Sequence, residues 1–203
     1  MDSAASNGRA RETSPGHSGK IAALLQRQQR GERVKYLFFW GHRPTRGGEI
    51  DASCLSQWWP SRFVVDGISY PTAEHYMMAE KARLFGDEAG VAKILSSRHP
   101  GEAKALGRQV AGFDEDVWCA ARYGIVVRAG VAKFEQNPRL REFLLGTLNR
   151  VLVEASPLDR VWGIGLTADD ERAQDPAQWR GLNLLGFALM DARAALESTR
   201  PPQ

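Results

Sequence analysis

The sequence predicts a single helix-rich α+β domain over about residues 30–198, and three observations predict it. From Pro71 to Asn149, helical segments with good caps follow one another with short breaks at Gly and Pro. Strand-like runs are few and short. The chain has 203 residues and no internal repeat, enough for one domain with a substantial core.

The elements follow in order. Met1 to about Lys20, MDSAASNGRARETSPGHSGK, has almost no large apolar residue. It cannot offset its ordering entropy, so residues 1–20 are expected to be a disordered tail. IAALLQRQQR suggests a short helix. Val34 to Trp40, VKYLFFW, reads as a buried strand, and GHRPTRGGEIDAS as a loop. RFVVDGISYP reads as two short strands joined at Asp66-Gly67, a hairpin turn signal. Thr72 then N-caps a helix that carries Glu74 in its first turn and stops at Gly86. DEAGVAKILSS and HPGEAKALGRQV give short helices broken at Pro100. DEDVWCAARYGIVVRAGVAKFEQ has the apolar spacing of a long helix despite Gly124 and Gly130. Asn137-Pro138 interrupts it and RLREFLLGTLN resumes. RVLVEAS is strand-like. Residues 159–183 form a long polar stretch with Gly and Pro, of the kind that often makes functional lids. NLLGFALMDARAALEST closes the chain as an amphipathic helix.

Bulk properties exclude several classes. Net charge is +3, which permits an anionic ligand without demanding nucleic acid, and there is no basic stripe. Cys54 and Cys119 form no CxxC, against a disulfide scaffold or thiolate zinc site and in keeping with a reducing compartment. His17, His42, His75 and His99 lack a ligand spacing, so neither metal nor cofactor is expected. No apolar run is long enough to span a membrane and no signal-peptide core is visible, so a cytoplasmic protein is expected.

The Thr72 helix holds an anomaly. At about 100° per residue, Met77, Met78, Leu84 and Phe85 gather on a side expected to face the core. Glu74 and Lys81 fall on that side too, roughly 10 Å apart along the axis. Tyr76, Glu80 and Arg83 fall opposite, where a solvated face accounts for Glu80 and Arg83. Charges on a core-facing stripe must pair or line a cavity. A structural ion pair or a snorkelling lysine is the alternative to a functional site.

YPTAEHYMMAEKARLFGD is similar to the Glu-His-Tyr segment of the NADAR superfamily, which includes the bacterial riboflavin-biosynthesis intermediates N-glycosidase. WPSRFVVDGISYPTAEHY resembles the strand-turn-strand-helix that leads into it. AKALGRQVAGFDEDVW, AKFEQNPRLREFLLGT, LVEASPLDRVWGIG and GLNLLGFALMDAR resemble later blocks in order, so the resemblance covers Val34 to Arg193. It implies hydrolysis of an N-glycosidic bond between a ribose phosphate and a nitrogen heterocycle. One branch acts on early pyrimidine-type riboflavin intermediates; another removes ADP-ribose from guanine bases. The family's functional carboxylates and tryptophans fall on Glu74, Trp118, Asp159 and Trp162. Two departures lie where substrate choice can be set: Ile164 between Gly163 and Gly165, and Ser56-Gln57-Trp58 before the hairpin.

The chemistry is coherent on its own terms. Breaking an N-glycosidic bond builds positive charge at the anomeric carbon, which needs a nearby anion, a water and a grip on the leaving ring. Glu74 and Asp159 supply carboxylates, with Glu74 raised in pKa by desolvation. Gly163 and Gly165 allow backbone to approach a ligand. Trp118 and Trp162 offer flat surfaces to a heteroaromatic ring, core packing being their alternative role. Lys81 can pair with Glu74, bind a phosphate, or form a Schiff base with an opened ribose. Lys35 competes for that last role, a solvated strand end being its alternative. His75 reads as a hydrogen-bond partner beside Glu74 or as a core histidine, and Gln57 as a substrate contact. Arg43 and Arg108 are phosphate candidates or solvated surface.

Two function classes remain. A module that only binds ADP-ribose or a related nucleotide needs aromatic rings and cations, but no carboxylates beside the sugar. The set Glu74, Asp159 and Lys81 therefore favours an enzyme. The expected partner is a small ribosylated heterocycle or an ADP-ribosylated base.

Overall fold

The computed structural model describes residues 18–43 and 49–199. In chain order its elements are α1 (Ser18–Gln29), β1 (Tyr36–Phe39), a 3-10 turn (Ala52–Leu55), β2 (Phe63–Val65), β3 (Ile68–Tyr70), α2 (Ala73–Leu84), α3 (Glu88–Ser96), α4 (Pro100–Gly107), α5 (Glu115–Glu135), α6 (Pro138–Gly146), β4 (Val151–Glu154), 3-10 turns at Glu171–Gln174 and Pro176–Gln178, and α7 (Leu184–Ser198). The tail expected over residues 1–20 lies outside the described residues up to position 17, and α1 occupies Ser18 onward.

Local chemistry sets the boundaries. The Thr72, Asp87 and Asp114 side chains cap α2, α3 and α5 by accepting from the amides of His75, Gly90 and Val117. The His99 ring accepts from the Gly101 amide at the start of α4, where Pro100 is the first helical residue. Gly86, at φ 70°, stops α2. Asp66 and Gly67 take φ 51° and 77°, the left-handed pair that a tight hairpin needs, and join β2 antiparallel to β3.

β1 pairs in parallel with β4, with Tyr36 opposite Val151 and Phe39 opposite Glu154. A parallel pair requires a crossover, and the chain from the first 3-10 turn through α6 provides it. Side chains of β4 alternate in their destinations: Leu152 joins the main core, whereas Val151 and Val153 join a smaller cluster with Leu24, Ile164 and Phe187. α5 packs along α7, and α7 packs on β4. A Cβ at Gly130 would stand 3.0 Å from the Ala192 Cβ, so this mid-helix glycine lets α5 and α7 approach.

α2 corrects the wheel drawn from the sequence. It is enclosed by α3, α4, α5 and β3, so it has no single apolar face. Tyr76 is 1% exposed and sits against Phe63 and Tyr70, whereas Leu84 is 38% exposed. Arg83 donates to Glu80 and to the Tyr70 hydroxyl instead of standing in solvent. The strand expected over 34–40 is shorter, and Trp40 is exposed. The stretch 159–183 is stitched to itself: the Arg180, Leu182 and Asn183 amides donate to the carbonyls of Ile164, Arg160 and Gly163. No helix among the described residues is long and apolar enough to cross a membrane.

Candidate active site

A cavity of about 470 Å³ opens where α2, α4, the first turns of α5, the end of β4, the loop after it and the Ser56–Trp58 segment converge. Its size is that of small-ligand sites. The first turn of α2 is fixed there by the Glu74 amide, which donates to the Gln57 carbonyl at 3.0 Å.

Glu74 is buried and lines the cavity, with Oε1 lacking any partner among the described residues. Burial pushes its carboxyl up to about 7. Lys104, a hydrogen bond from the Trp58 indole and Arg108 oppose the rise, and Asp159 adds to it. Asp159 also lines the cavity. Its Oδ1 accepts from the Val161 and Trp162 amides at 2.9 and 2.7 Å, which sets the turn that presents Trp162. Glu154, the last residue of β4, is a third carboxyl in the wall, and its Oε2 is buried without a partner. Burial, and then the charge of Asp159, push it up to about 8, with Lys104 opposing and Glu74 reinforcing. Mutual influence among the three marks them as neighbours in one low-dielectric site.

The aromatic surfaces are the indoles of Trp118, Trp162 and Trp58 and the Phe113 ring. Trp58 meets the His99 ring edge-on at 5.8 Å, with the Lys104 ammonium 5.9 Å from its ring centre. Lys81, Lys104, Arg108 and Arg122 bring positive charge to the same wall. Lys81 donates to the Gly107 carbonyl at 2.9 Å and lies 4.1 Å from the centre of the Phe113 ring and 5.4 Å from that of Trp118. Burial lowers its pKa, with Glu115 opposing. The pairing with Glu74 that the sequence allowed is not formed.

The structure thus brings together Glu74, Asp159, Lys81, Trp118, Trp162, Gln57 and Arg108. Gln57 offers an unpartnered buried Oε1, its amide nitrogen resting on the Met77 sulfur. Other expected residues lie elsewhere. His75 does not line the cavity; its ring is fully buried and bonded to the Thr72 hydroxyl at 2.7 Å, which ties it to the start of α2. Gly163 does not line it either. A Cβ there would stand 2.8 Å from the Glu154 carbonyl oxygen, so the glycine admits protein backbone and not a ligand. Lys35 and Arg43 are exposed and outside the cavity wall.

Sequence reasoning missed Glu154, Trp58 as a ring surface, Lys104, Arg122 and Lys133. Lys133 lies behind the site, where it is buried and donates to the carbonyls of Cys54 and Ser56 at 2.7 and 2.8 Å, anchoring the segment that carries Gln57 and Trp58. Burial lowers its pKa to about 8. Its signal was present: it shares a helical face with Val126, Ala129 and Gly130, the kind of misplaced charge that singled out Glu74.

Comparison with known proteins agrees with the fold. The family model of the NADAR domain matches residues 38–197. The chain is 41% identical over 167 residues to the N-glycosidase R617 of Acanthamoeba polyphaga mimivirus, covering 80% of this chain and 96% of that one. It is 34% identical over 138 residues to the N-glycosidase YbiA of Escherichia coli (strain K12), covering 68% and 76%. The NMR structure of E. coli YbiA superposes with a TM-score of 0.66 at 28% identity, over 84% of this chain and 91% of that chain.

Proposed function

The chain belongs to the NADAR domain family, and from that premise we propose that it is a hydrolase of N-glycosyl bonds whose substrate joins a ribose phosphate to a nitrogen heterocycle, as in early riboflavin-biosynthesis intermediates. One observation carries the reading: a single cavity combines carboxyl groups raised into the neutral range with three indole rings and a cationic wall. The N-glycosidase relatives support it. The two cysteines and low net charge fit a protein of the reducing cytoplasm.

Each part has work to do. The indoles of Trp58, Trp118 and Trp162 hold the heterocycle by stacking. Lys104 and Arg108, beside Glu74, bind the phosphate. Asp159 places negative charge near the anomeric carbon as the bond to nitrogen lengthens. Glu74, about half ionised near neutral pH, takes a proton from the water that attacks that carbon. The bonding electrons leave with the heterocycle nitrogen.

A second reading, removal of ADP-ribose from a guanine base, is favoured by the cavity's apolar rim. Leu158 is 90% exposed at its edge and Phe113 also faces solvent, which fits a substrate larger than the cavity. Incubation with a phosphoribosyl-aminopyrimidine and with an ADP-ribosylated guanine oligonucleotide, followed by mass spectrometry of the released base, separates the two. Binding of both without release indicates a nucleotide-binding module.

A further inference from the structure

We propose that Glu154 is the general acid of this site: its carboxyl group gives the proton that departs with the heterocycle. The assignment rests on the N-glycosidase reading above and deepens it.

Glu154 is held more firmly than a strand end requires. Its amide donates to the Asn183 side-chain oxygen at 3.0 Å, and its carbonyl accepts from the Ile164 amide at 2.9 Å. Asn183, fully buried, also donates to the Leu152 carbonyl, so one side chain brackets the end of β4. Gly163 presses against the same Glu154 carbonyl. This backbone cradle aims a carboxyl side chain into the cavity wall. A group placed with such support is preorganised.

Four carboxyl groups line the cavity; Glu115 acts on Lys81, and the other three differ in what meets them. Glu74 also has an unpartnered oxygen, Oε1, but the Trp58 indole beside it favours its ionised form. Asp159 receives two backbone amides on Oδ1. The Oε2 of Glu154 is buried and meets no donor among the described residues. The charged groups that act on it are Asp159 in the following loop, Glu74 on α2 and the cation Lys104 on α4. An unpartnered buried oxygen is costly to the fold and calls for a ligand. Proton occupancy is the chemistry that suits this place, because a carboxylic acid there becomes a donor aimed at whatever fills the cavity. Its rise to about 8 agrees, leaving it mostly protonated at neutral pH.

The proton balance closes. The C1′–N bond breaks and its electron pair goes to nitrogen. The Glu154 O–H bond breaks and its proton goes to the same nitrogen. Water adds its oxygen to C1′ and gives a proton to the Glu74 carboxylate. Exchange of a proton with solvent restores both glutamates.

The test compares leaving groups on Glu154→Gln. One substrate is a phosphoribosyl-aminopyrimidine, whose nitrogen needs a proton to leave. The other is 4-nitrophenyl riboside 5-phosphate, whose nitrophenolate leaves without one. Glu154→Gln is expected to lose about 10²–10⁴-fold in kcat on the first and almost nothing on the second, and to abolish the falling limb near pH 8 of the wild-type profile. The ratio of the two rates is taken on one preparation, so any loss of folded protein cancels. Equal losses on both substrates, or loss on neither, overturn the assignment of Glu154 and leave the glycosidase reading standing. Wild-type protein that cleaves neither substrate overturns the phosphoribosyl reading on which the assignment rests, and the assignment with it.

Discussion

Lys81 donates its hydrogen bond to the Gly107 carbonyl, at 2.9 Å, and not to Glu74. The two charges of α2 that share a helix stripe therefore meet different partners in one cavity. Buried charges that form a pair destabilise by about 3–5 kcal/mol when either is removed, and removing both restores the balance. Charges that line a cavity separately behave additively. In a thermodynamic cycle of Glu74→Gln, Lys81→Met and the double variant, we expect denaturant-derived stabilities to add within about 0.5 kcal/mol. A coupling of several kcal/mol would restore the ion pair.

The stability of the fold should also report Glu74. Its carboxyl rises from 4.5 in the unfolded chain to about 7 in the fold. Between those values the folded state holds a proton that the unfolded state has released, so stability falls as pH rises through this window. The full effect is roughly 3 kcal/mol. Glu154 acts in the same direction up to about pH 8. Glu74→Gln removes the Glu74 share. Thermal melts should therefore show the variant close to wild type at pH 5 and more stable at pH 8. A variant less stable than wild type at pH 8 would mean that the carboxylate is well solvated or paired.

This combination of stability lost and chemistry gained was only partly legible in the sequence. Glu74 was visible because helical periodicity placed it among apolar residues, and the caps and the Asp66-Gly67 turn are local signals that tertiary structure did not override. Tyr76 and Leu84 were misplaced because a wheel assumes one buried face, while three helices enclose α2. Glu154 escaped because a glutamate ending a short strand reads as a solvated end, whereas its Oε2 is buried in the cavity wall. Gly163 was assigned to a ligand because a glycine announces close approach without saying what approaches.

The indole rings should divide sharply. Trp58→Ala, Trp118→Ala and Trp162→Ala each remove a surface from the cavity and should weaken substrate binding by about 1–3 kcal/mol. Trp179 donates its indole N–H to the Ala173 carbonyl and packs against Tyr36, away from the cavity. Trp179→Ala should leave KM unchanged. Isothermal titration with a non-cleavable analogue checks all four, and unchanged affinity in the three cavity variants would remove the stacking role.

Lys81 offers a chemical test of route. Burial favours its neutral amine. In a route that replaces attack by water, that amine adds to C1′ and the C1′–N bond breaks, its electron pair going to the heterocycle nitrogen. The C1′–O4′ bond then opens to leave a Schiff base, the two amine protons going to the departing nitrogen and to O4′. On the route by water proposed above, borohydride added during turnover should leave Lys81 unmodified in peptide mass mapping, and an adduct there would make Lys81 the nucleophile. Lys35 is exposed and outside the cavity wall, so it should remain unmodified. Turnover with no adduct on Lys81 assigns the attack to water alone.

The central claim is that the cavity around Glu74 cleaves an N-glycosidic bond, and mass spectrometry of the released base measures it most directly. Wild type and Glu74→Gln are incubated with a phosphoribosyl-aminopyrimidine and with an ADP-ribosylated guanine oligonucleotide. Wild type should release the base from one of them, and Glu74→Gln, still folded by circular dichroism, should do so about 10²–10⁴-fold more slowly. Release of no base from either substrate, or equal rates in the two proteins, would contradict it.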